Sequence, residues 1–351
     1  MGLIKLPSSS LEFFKSNLDQ IFETGSLAEG PWSEQLSDFT QSYCGVGYAV
    51  PTASNGSGLM ALLHLYKEYR NRTEVLIQSN TMYGVKTLVN AAGMKLSGFI
   101  DCSPLTLMPG VRDVEKAVED CSDKPTLIVL LSHIGGIINP EMDAIASFCK
   151  HSGVTLIEDC AHSFGATLDG RHSGVFGDAG AYSFYATKAV PAGEGGIVVT
   201  NDEEIGNALA DYVKYDRFNQ LMNIGVNIRP SEVQALLLYS VATEVESIIN
   251  NKRNIAAKYI NVCQDLGVTY IDQETQNTQG NYYKFIVLAE NGNIEDSLPE
   301  LKTVTSKVYD YCLGKSHTIT TNHACLPIWY DQPDDVAEQV VNELEMSLAK
   351  A

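Results

Sequence analysis

Lys188 stands between two β-like runs, Gly177–Tyr185 and Gly196–Thr200, in a loop built mostly from small residues. Before it lie Phe184, Tyr185 and Ala186; after it come Ala189, Val190, Pro191, Ala192 and the glycine-rich Gly193-Glu-Gly-Gly. Such flanks strip water from an amine and favour the neutral nucleophile that a Schiff base requires. Upstream, the apolar run Leu156-Ile-Glu-Asp ends in Asp159. A carboxylate beside a pyridine nitrogen keeps that nitrogen protonated and makes the ring an electron sink. A Schiff-base lysine and a pyridinium-pairing aspartate are the minimum equipment for pyridoxal phosphate chemistry. Taken singly, a solvated lysine and a helix-capping aspartate would look the same.

Other residues could complete such a site. His162 follows Asp159 by three positions and could hydrogen-bond a phenolic oxygen, or simply be a polar residue after a strand. Glu158 belongs to the strand's other face, as a structural or solvated group. Ser54-Asn-Gly-Ser-Gly precedes an amphipathic stretch, so Gly56 and Ser57 open a helix whose unpaired N–H groups suit a phosphate. An ordinary capped helix uses the same residues. Ser183 adds a candidate hydroxyl just before Lys188. Met82 and Tyr83 lie past a strand end, where either could cover a flat ring or make a core contact.

The elements that must position these groups alternate. Val75–Ser79, Thr126–Leu131, Val154–Ile157, Ala181–Tyr185 and Gly196–Thr200 read as strands covered on both faces. Ser57–Tyr69, Val85–Ala92, Val111–Cys121 and Met142–His151 read as the helices between them, which gives an α/β fold with a mostly parallel sheet. Glu203–Ile249 reads as helical, with Pro230-Ser-Glu opening one helix, and Asn250–Asn254 as a polar interruption. Beyond it, Val268–Ile271 and Tyr282–Leu288 read as strands and Asp334–Leu348 as a final helix. The expected division is a large domain over 1–240, with an N-terminal arm, and a smaller α+β domain over 241–351.

Composition narrows the function. The 351 residues carry a net charge of −19, which argues against a polyanion-binding surface, so nucleic acid is not an expected partner. No run approaches the roughly 20 apolar residues of a membrane span, so no membrane partner is expected. The eight cysteines show no C-x-x-C spacing and Met1–Pro7 lacks a signal-peptide core, as expected of a reduced cytoplasmic protein. No metal site is expected.

Together the segments resemble the DegT/StrS-type nucleotide-sugar aminotransferases, within the fold-type I pyridoxal phosphate superfamily. The resemblance runs from Ser33–Thr40 through Asn55-Gly-Ser-Gly, Ser79-Asn-Thr-Met, Asp143-Ala-Ile-Ala, Ile157–Ala166, Gly177–Phe184, Thr187-Lys188 and Gly193-Glu-Gly-Gly to Gly225–Ala235. It implies a seven-stranded-type sheet, with Lys188 as the Schiff-base residue and Asp159 as the pyridinium partner. It further implies His162 beside the phenolic oxygen and Gly56, Ser57 and Ser183 on the phosphate. Asn227 would reach that phosphate from a partner subunit, which makes the enzyme a homodimer. Arg229 would serve a substrate carboxylate or the dimer structure, and Tyr83 the substrate. Met82 stands where the family usually stacks an aromatic residue on the ring. Cys160 and His162 replace the common alanine and glutamine, and Lys307–His317 replaces a longer loop that touches the sugar nucleotide.

The implied reaction moves an amino group from L-glutamate, or L-glutamine, to a keto-sugar, most often nucleotide-linked, by a ping-pong mechanism. Related dehydratases replace the lysine with histidine, so Lys188 argues for transamination. The alternatives are a non-nucleotide ketone such as a keto-cyclitol, or a non-catalytic regulator or scaffold.

Overall fold

Apolar runs without polar alternation become strands buried on both faces, and here they assemble one seven-stranded sheet. The computed structural model describes residues 4–215, 224–289, 292–301 and 306–348. The strands are β1 (Tyr48–Thr52), β2 (Glu74–Gln78), β3 (Lys95–Ile100), β4 (Leu127–Ser132), β5 (Thr155–Cys160) and, past a small hairpin of β6 (Thr167–Leu168) and β7 (Arg171–His172), β8 (Ala179–Ser183) and β9 (Gly196–Thr200). Their order is β1-β9-β8-β5-β4-β2-β3. From β8 through β5, β4 and β2 to β3 the pairing is parallel; β9 runs antiparallel to both β8 and β1. The expected α/β fold is therefore present.

Sequence reading missed β1 and β3. Proline interrupts the first, and a serine and a glycine the second. Both lie at sheet edges, where a strand can lack part of its ladder.

Among the described residues up to 266, nine α-helices follow in chain order: α1 (Ser8–Thr24), α2 (Pro31–Cys44), α3 (Asn55–Arg70), α4 (Tyr83–Ala91), α5 (Val111–Glu119), α6 (Met142–His151), α7 (Glu203–Tyr212), α8 (Glu232–Ala242) and α9 (Val245–Leu266). Leu62, Leu63, Val89 and Leu209 cover one sheet face from α3, α4 and α7. Val114 and Ile145, from α5 and α6, cover part of the other. Leu36, Leu238, Val245 and Ile248, from α2, α8 and α9, cover the rest. Buried Glu232 joins α8 to α2, accepting the Trp32 N–H at 2.8 Å and the Ser33 N–H at 3.2 Å at the start of α2. Among the described residues no helix is long and apolar enough to cross a membrane.

The polar stretch Asn250–Asn254 does not interrupt the helices; it lies inside α9. Ile248, Ile249 and Ala256 keep a buried stripe running past it, and that stripe rather than local polarity sets the helix length. Beyond α9 come β10 (Thr278–Gln279), β11 (Phe285–Leu288), α10 (Ile294–Ser297), β12 (His323–Leu326) and α11 (Asp334–Leu348). The expected strand at Val268–Ile271 is only an isolated bridge, Tyr270 to Val287. Tyr282–Leu288 shortens to β11 because Asn281 and Lys284 donate their N–H groups to Gly136 and Gly135 instead, at 2.9 Å each. Tyr259, Phe285, Leu326, Val340 and Leu344 form a core of this region's own.

Candidate active site

Parallel pairing of β4 with β5 sets Ser132 beside Asp159 at the carboxyl edge of the sheet. Ser132 Oγ donates to Asp159 Oδ2 at 3.1 Å, while Asn55 Nδ2 and the Ala161 N–H donate to Oδ1 at 3.0 and 3.1 Å. Asp159 is thus a buried carboxylate fixed by three donors, with acceptor capacity left on Oδ2. Thr81 shares a 2.6 Å hydrogen bond with the Ser132 hydroxyl. Asn55 and Ser132 were not singled out from sequence. Their only signal was place, at the first residue of a glycine-turn helix and the last of a buried strand.

At the start of α3, Ser54 and Ser57 form a reciprocal cap. Ser57 Oγ donates to the Ser54 carbonyl at 2.8 Å and accepts the Ser54 N–H at 3.0 Å. The Ser57 hydroxyl therefore serves its own helix first. The N–H groups of the opening turn, including Gly56, remain the anion-facing donors of any helix start. Gly196 lets β9 pass against this turn: a Cβ there would stand 2.4 Å from the Ser54 carbonyl carbon and 2.5 Å from Asn55 N.

Lys188 sits on a loop that closes on itself. Ala186 N–H donates to Gly193 O, and Ala192 N–H to Phe184 O, both at 2.8 Å. Gln234, from α8, clamps the loop through the Ala192 and Glu194 carbonyls. Ser183 Oγ is buried beside it and accepts the Tyr185 N–H at 3.3 Å. The Lys188 ammonium lies 5.1 Å from the centroid of Tyr283, a residue from the C-terminal region.

His162 meets the same ring, with centroids 4.4 Å apart. Asn281 fixes the pair, donating to the His162 and Phe164 carbonyls at 2.8 and 2.9 Å while accepting the Tyr283 N–H at 2.8 Å. His162 Nδ1 is buried without a hydrogen-bond partner. Burial first, then Lys188, Lys284 and His133, hold this imidazole well below its usual range, so it stays neutral.

The segment around 307–317 lies across the carboxyl ends of β2 and β3. Leu313 N–H donates to Ser79 O at 2.9 Å, and Cys102 N–H to Ser316 Oγ at 3.0 Å. It carries Tyr309, whose ring lies 6.1 Å from His162 and 26° from its plane, and Tyr311, whose hydroxyl accepts the Tyr83 N–H at 2.7 Å. Burial, with Asp159 next in weight, keeps the Tyr309 hydroxyl protonated far beyond the ordinary tyrosine range. Met82 and Tyr83 are each 53% exposed, so neither makes the core contact considered for them. Tyr283, Tyr309 and Tyr311 escaped sequence reading because their contacts to the site join residues far apart in the chain.

Asn227 is exposed on the stretch before α8, and Ile228 O accepts the Ala53 N–H just before α3. Arg229 Nε pairs with Glu29 Oε1 at 2.8 Å, and its Nη1 donates to Asn227 Oδ1 at 2.8 Å. Glu158 is structural rather than solvated. It accepts from Gly174, Phe176 and Gly177 N–H groups at 2.7–2.8 Å and meets His133 Nε2 at 2.9 Å. His133, Glu158 and Cys160 lie near enough to hold a metal ion. However, His133 Nδ1 accepts the Asn139 N–H and the carboxylate is filled with donors, so the trio is a hydrogen-bonded brace.

These groups fit pyridoxal phosphate. Asp159 offers a buried acceptor for a ring nitrogen, the orphaned His162 Nδ1 awaits a polar partner, Lys188 offers an amine, and α3 with Ser183 offers phosphate donors. A mainly parallel sheet carrying this set at its carboxyl edge defines a fold-type I pyridoxal phosphate aminotransferase. The chain belongs to the DegT/DnrJ/EryC1/StrS aminotransferase family, whose profile matches residues 9–345. It is 30% identical over 275 residues to the dTDP-3-amino-3,4,6-trideoxy-alpha-D-glucose transaminase of Micromonospora megalomicea subsp. nigra, covering 77% of this chain and 71% of that one. It is 25% identical over 268 residues to the L-glutamine:2-deoxy-scyllo-inosose aminotransferase of Streptomyces fradiae, covering 72% and 62%. The crystal structure of the aminotransferase TlmJ from Streptoalloteichus hindustanus shares the fold, with a TM-score of 0.84 at 22% identity over 99% of both chains. The protein is an aminotransferase, and pyridoxal phosphate is its cofactor.

Proposed function

We propose that the enzyme transfers the amino group of L-glutamate or L-glutamine to the ketone of a nucleotide-linked sugar, by a ping-pong mechanism, as a cytoplasmic homodimer. The observation carrying this reading is the meeting of the Lys188 amine and the His162 imidazole, whose Nδ1 is orphaned, at one ring, Tyr283. The nucleotide-sugar acceptor is supported by the Micromonospora relative, named for a dTDP-linked amino sugar. A large domain over 1–240 and a small one over 241–351 belong to the same reading, supported by the separate core around Tyr259 and Val340.

Pyridoxal phosphate, when bound, supplies the carbonyl for a Schiff base and the electron sink for a carbanion. Lys188 would hold it through its amine and, once the donor has taken that place, would move the proton from the donor's α-carbon to the cofactor's C4′ carbon, as general base and then general acid. Asp159 holds the ring nitrogen's proton, and Asn55 and Ser132 keep the carboxylate aimed. His162 serves the phenolic oxygen, and its neutrality adds no charge there. Gly56, Ser57 and Ser183 serve the phosphate, with Asn227 reaching it from the second copy. Arg229, already paired with Glu29, serves the dimer structure. Met82 covers a ring face, Tyr83 meets substrate, and the tyrosines of 309 and 311 exclude water.

The test is loading with cofactor, bleaching with each donor, then restoring colour with candidate ketones. A yellow protein that L-glutamate or L-glutamine bleaches, and a dTDP-linked keto-sugar restores, meets the reading. Failure of both donors to bleach it would overturn the reading. Restoration by a keto-cyclitol alone would favour the second reading, which the Streptomyces relative and the short 307–317 segment support.

A further inference from the structure

Lys284 brings a second ammonium group to the Tyr283 ring. Its Nζ lies 5.2 Å from the centroid, against 5.1 Å for Lys188. The backbone beneath it is fixed: Lys284 N–H donates to Gly135 O at 2.9 Å, and Gln273 Nε2 donates to the Lys284 carbonyl at 2.6 Å. The side chain is half-buried, and no carboxylate of the described residues pairs with it. That is unexpected in a chain with 43 acidic residues against 24 lysines and arginines, since Lys5, Lys95 and Lys258 each find a carboxylate at the surface.

A partly desolvated cation beside another cation is unfavourable unless a counter-charge arrives. The neighbours register it. Lys284 helps push His162 down, and after burial it is the second cause that brings Lys252 down to about 7. Positive charge gathered at one point of an acidic protein marks a place for an anion.

The kind of anion follows from position. The opening turn of α3 and Ser183 already provide for a phosphate, and the cation of Arg229 is committed to Glu29. Lys284 shares its ring with Lys188, the amine that exchanges places with the donor's amino group. An anion meeting Lys284 would lie against the same ring as that amine. An amino acid carries such an anion as a carboxylate.

We infer that Lys284 is a donor-specificity residue, binding a carboxylate of the amino-acid donor while its amine is presented at Lys188. This rests on the amino-acid donor proposed above. The contact is a charge-assisted hydrogen bond, made beside the same Tyr283 ring that Lys188 approaches. The α-carboxylate and the side-chain carboxylate of glutamate share this chemistry.

Holoenzyme carrying Lys284→Met or Lys284→Arg tests it, with the half-reactions measured apart. Lys284→Met should raise the L-glutamate concentration for half-bleaching roughly tenfold or more. The acceptor half-reaction, started from the pyridoxamine phosphate form, should stay within about twofold, and Lys284→Arg should keep most donor affinity. An equal loss with L-glutamine assigns the contact to the α-carboxylate; a loss confined to L-glutamate assigns it to the side chain. Calorimetric titration with glutarate, which has both carboxylates and no amine, should show binding to the wild type and none to Lys284→Met. Unchanged glutamate and glutarate affinity in that variant would overturn the inference, as would a loss confined to the keto-sugar half-reaction. Wild-type protein that neither L-glutamate nor L-glutamine bleaches would overturn the proposed donor itself.

Discussion

Asn55 reaches from the first turn of α3 to Asp159 at the end of β5, with Nδ2 3.0 Å from Oδ1. The same amide donates to the Ala181 carbonyl of β8 at 2.7 Å. One side chain thus ties the start of α3, where the phosphate is proposed to bind, to the carboxylate proposed to meet the ring nitrogen. Asn55→Ala frees both acceptors and uncouples the two ends. Cofactor affinity, followed by absorbance titration, should fall roughly tenfold, with about 1 kcal/mol lost from the cofactor-free protein. An unchanged titration would show that Asp159 needs no such tether.

Glu158, one residue away, should behave differently. Its buried carboxylate gathers three N–H groups and the His133 ring, none of them from the Lys188 loop. Glu158→Gln turns one acceptor into a donor facing donors, so a loss of about 3 kcal/mol or more in urea unfolding is expected. Cofactor binding by the fraction that folds should hold near wild type. Selective loss of cofactor without loss of stability would contradict the brace.

Most of this site was legible because its parts are local in sequence. Lys188 in its small-residue loop, Asp159 at a strand's end and the turn at Gly56 each announce themselves within a few residues. Their joint place at one sheet edge follows from α/β topology. What escaped reading depends on contacts between distant segments. Asn281 joins the His162 turn to Tyr283, and Leu313 bonds to Ser79; neither has a local pattern. Polarity misled at Asn250–Asn254, where buried Ile249 and Ala256 sustain α9, and at β1, whose proline hides an edge strand.

Under the proposed function, Tyr309 and Met82 would share the stacking task that the resemblance assigns to one aromatic residue. The Tyr309 ring faces that of His162 at 6.1 Å with 26° between their planes, whereas Met82 is half exposed. Tyr309→Ala should therefore weaken cofactor retention in dialysis more than Met82→Ala does, by about threefold to tenfold if an aromatic contact is lost. Tyr309→Phe, which keeps the ring, should stay near wild type. A larger effect from Met82→Ala would return the stacking role to the ordinary position.

His323 ties the Tyr309 segment to β12, and its hydrogen bonds fix its proton. Nε2 accepts the Val308 N–H at 3.0 Å, so Nδ1 carries the proton and donates to Ile319 O at 2.7 Å. Burial is the main reason this imidazole is pushed down to about 4. The unfolded chain takes up that proton near pH 6.5 and the folded chain only near 4, so the unfolded state binds more protons between these values. Stability must then fall as pH drops through that window, by on the order of 3 kcal/mol at most from this residue. Protonation would also set an N–H against the Val308 N–H and loosen the segment that carries Tyr309. His323→Gln removes the titration, so its unfolding free energy should fall less than that of wild type between pH 7 and pH 4. Urea titrations at both pH values, with identical losses in the two proteins, would refute the coupling.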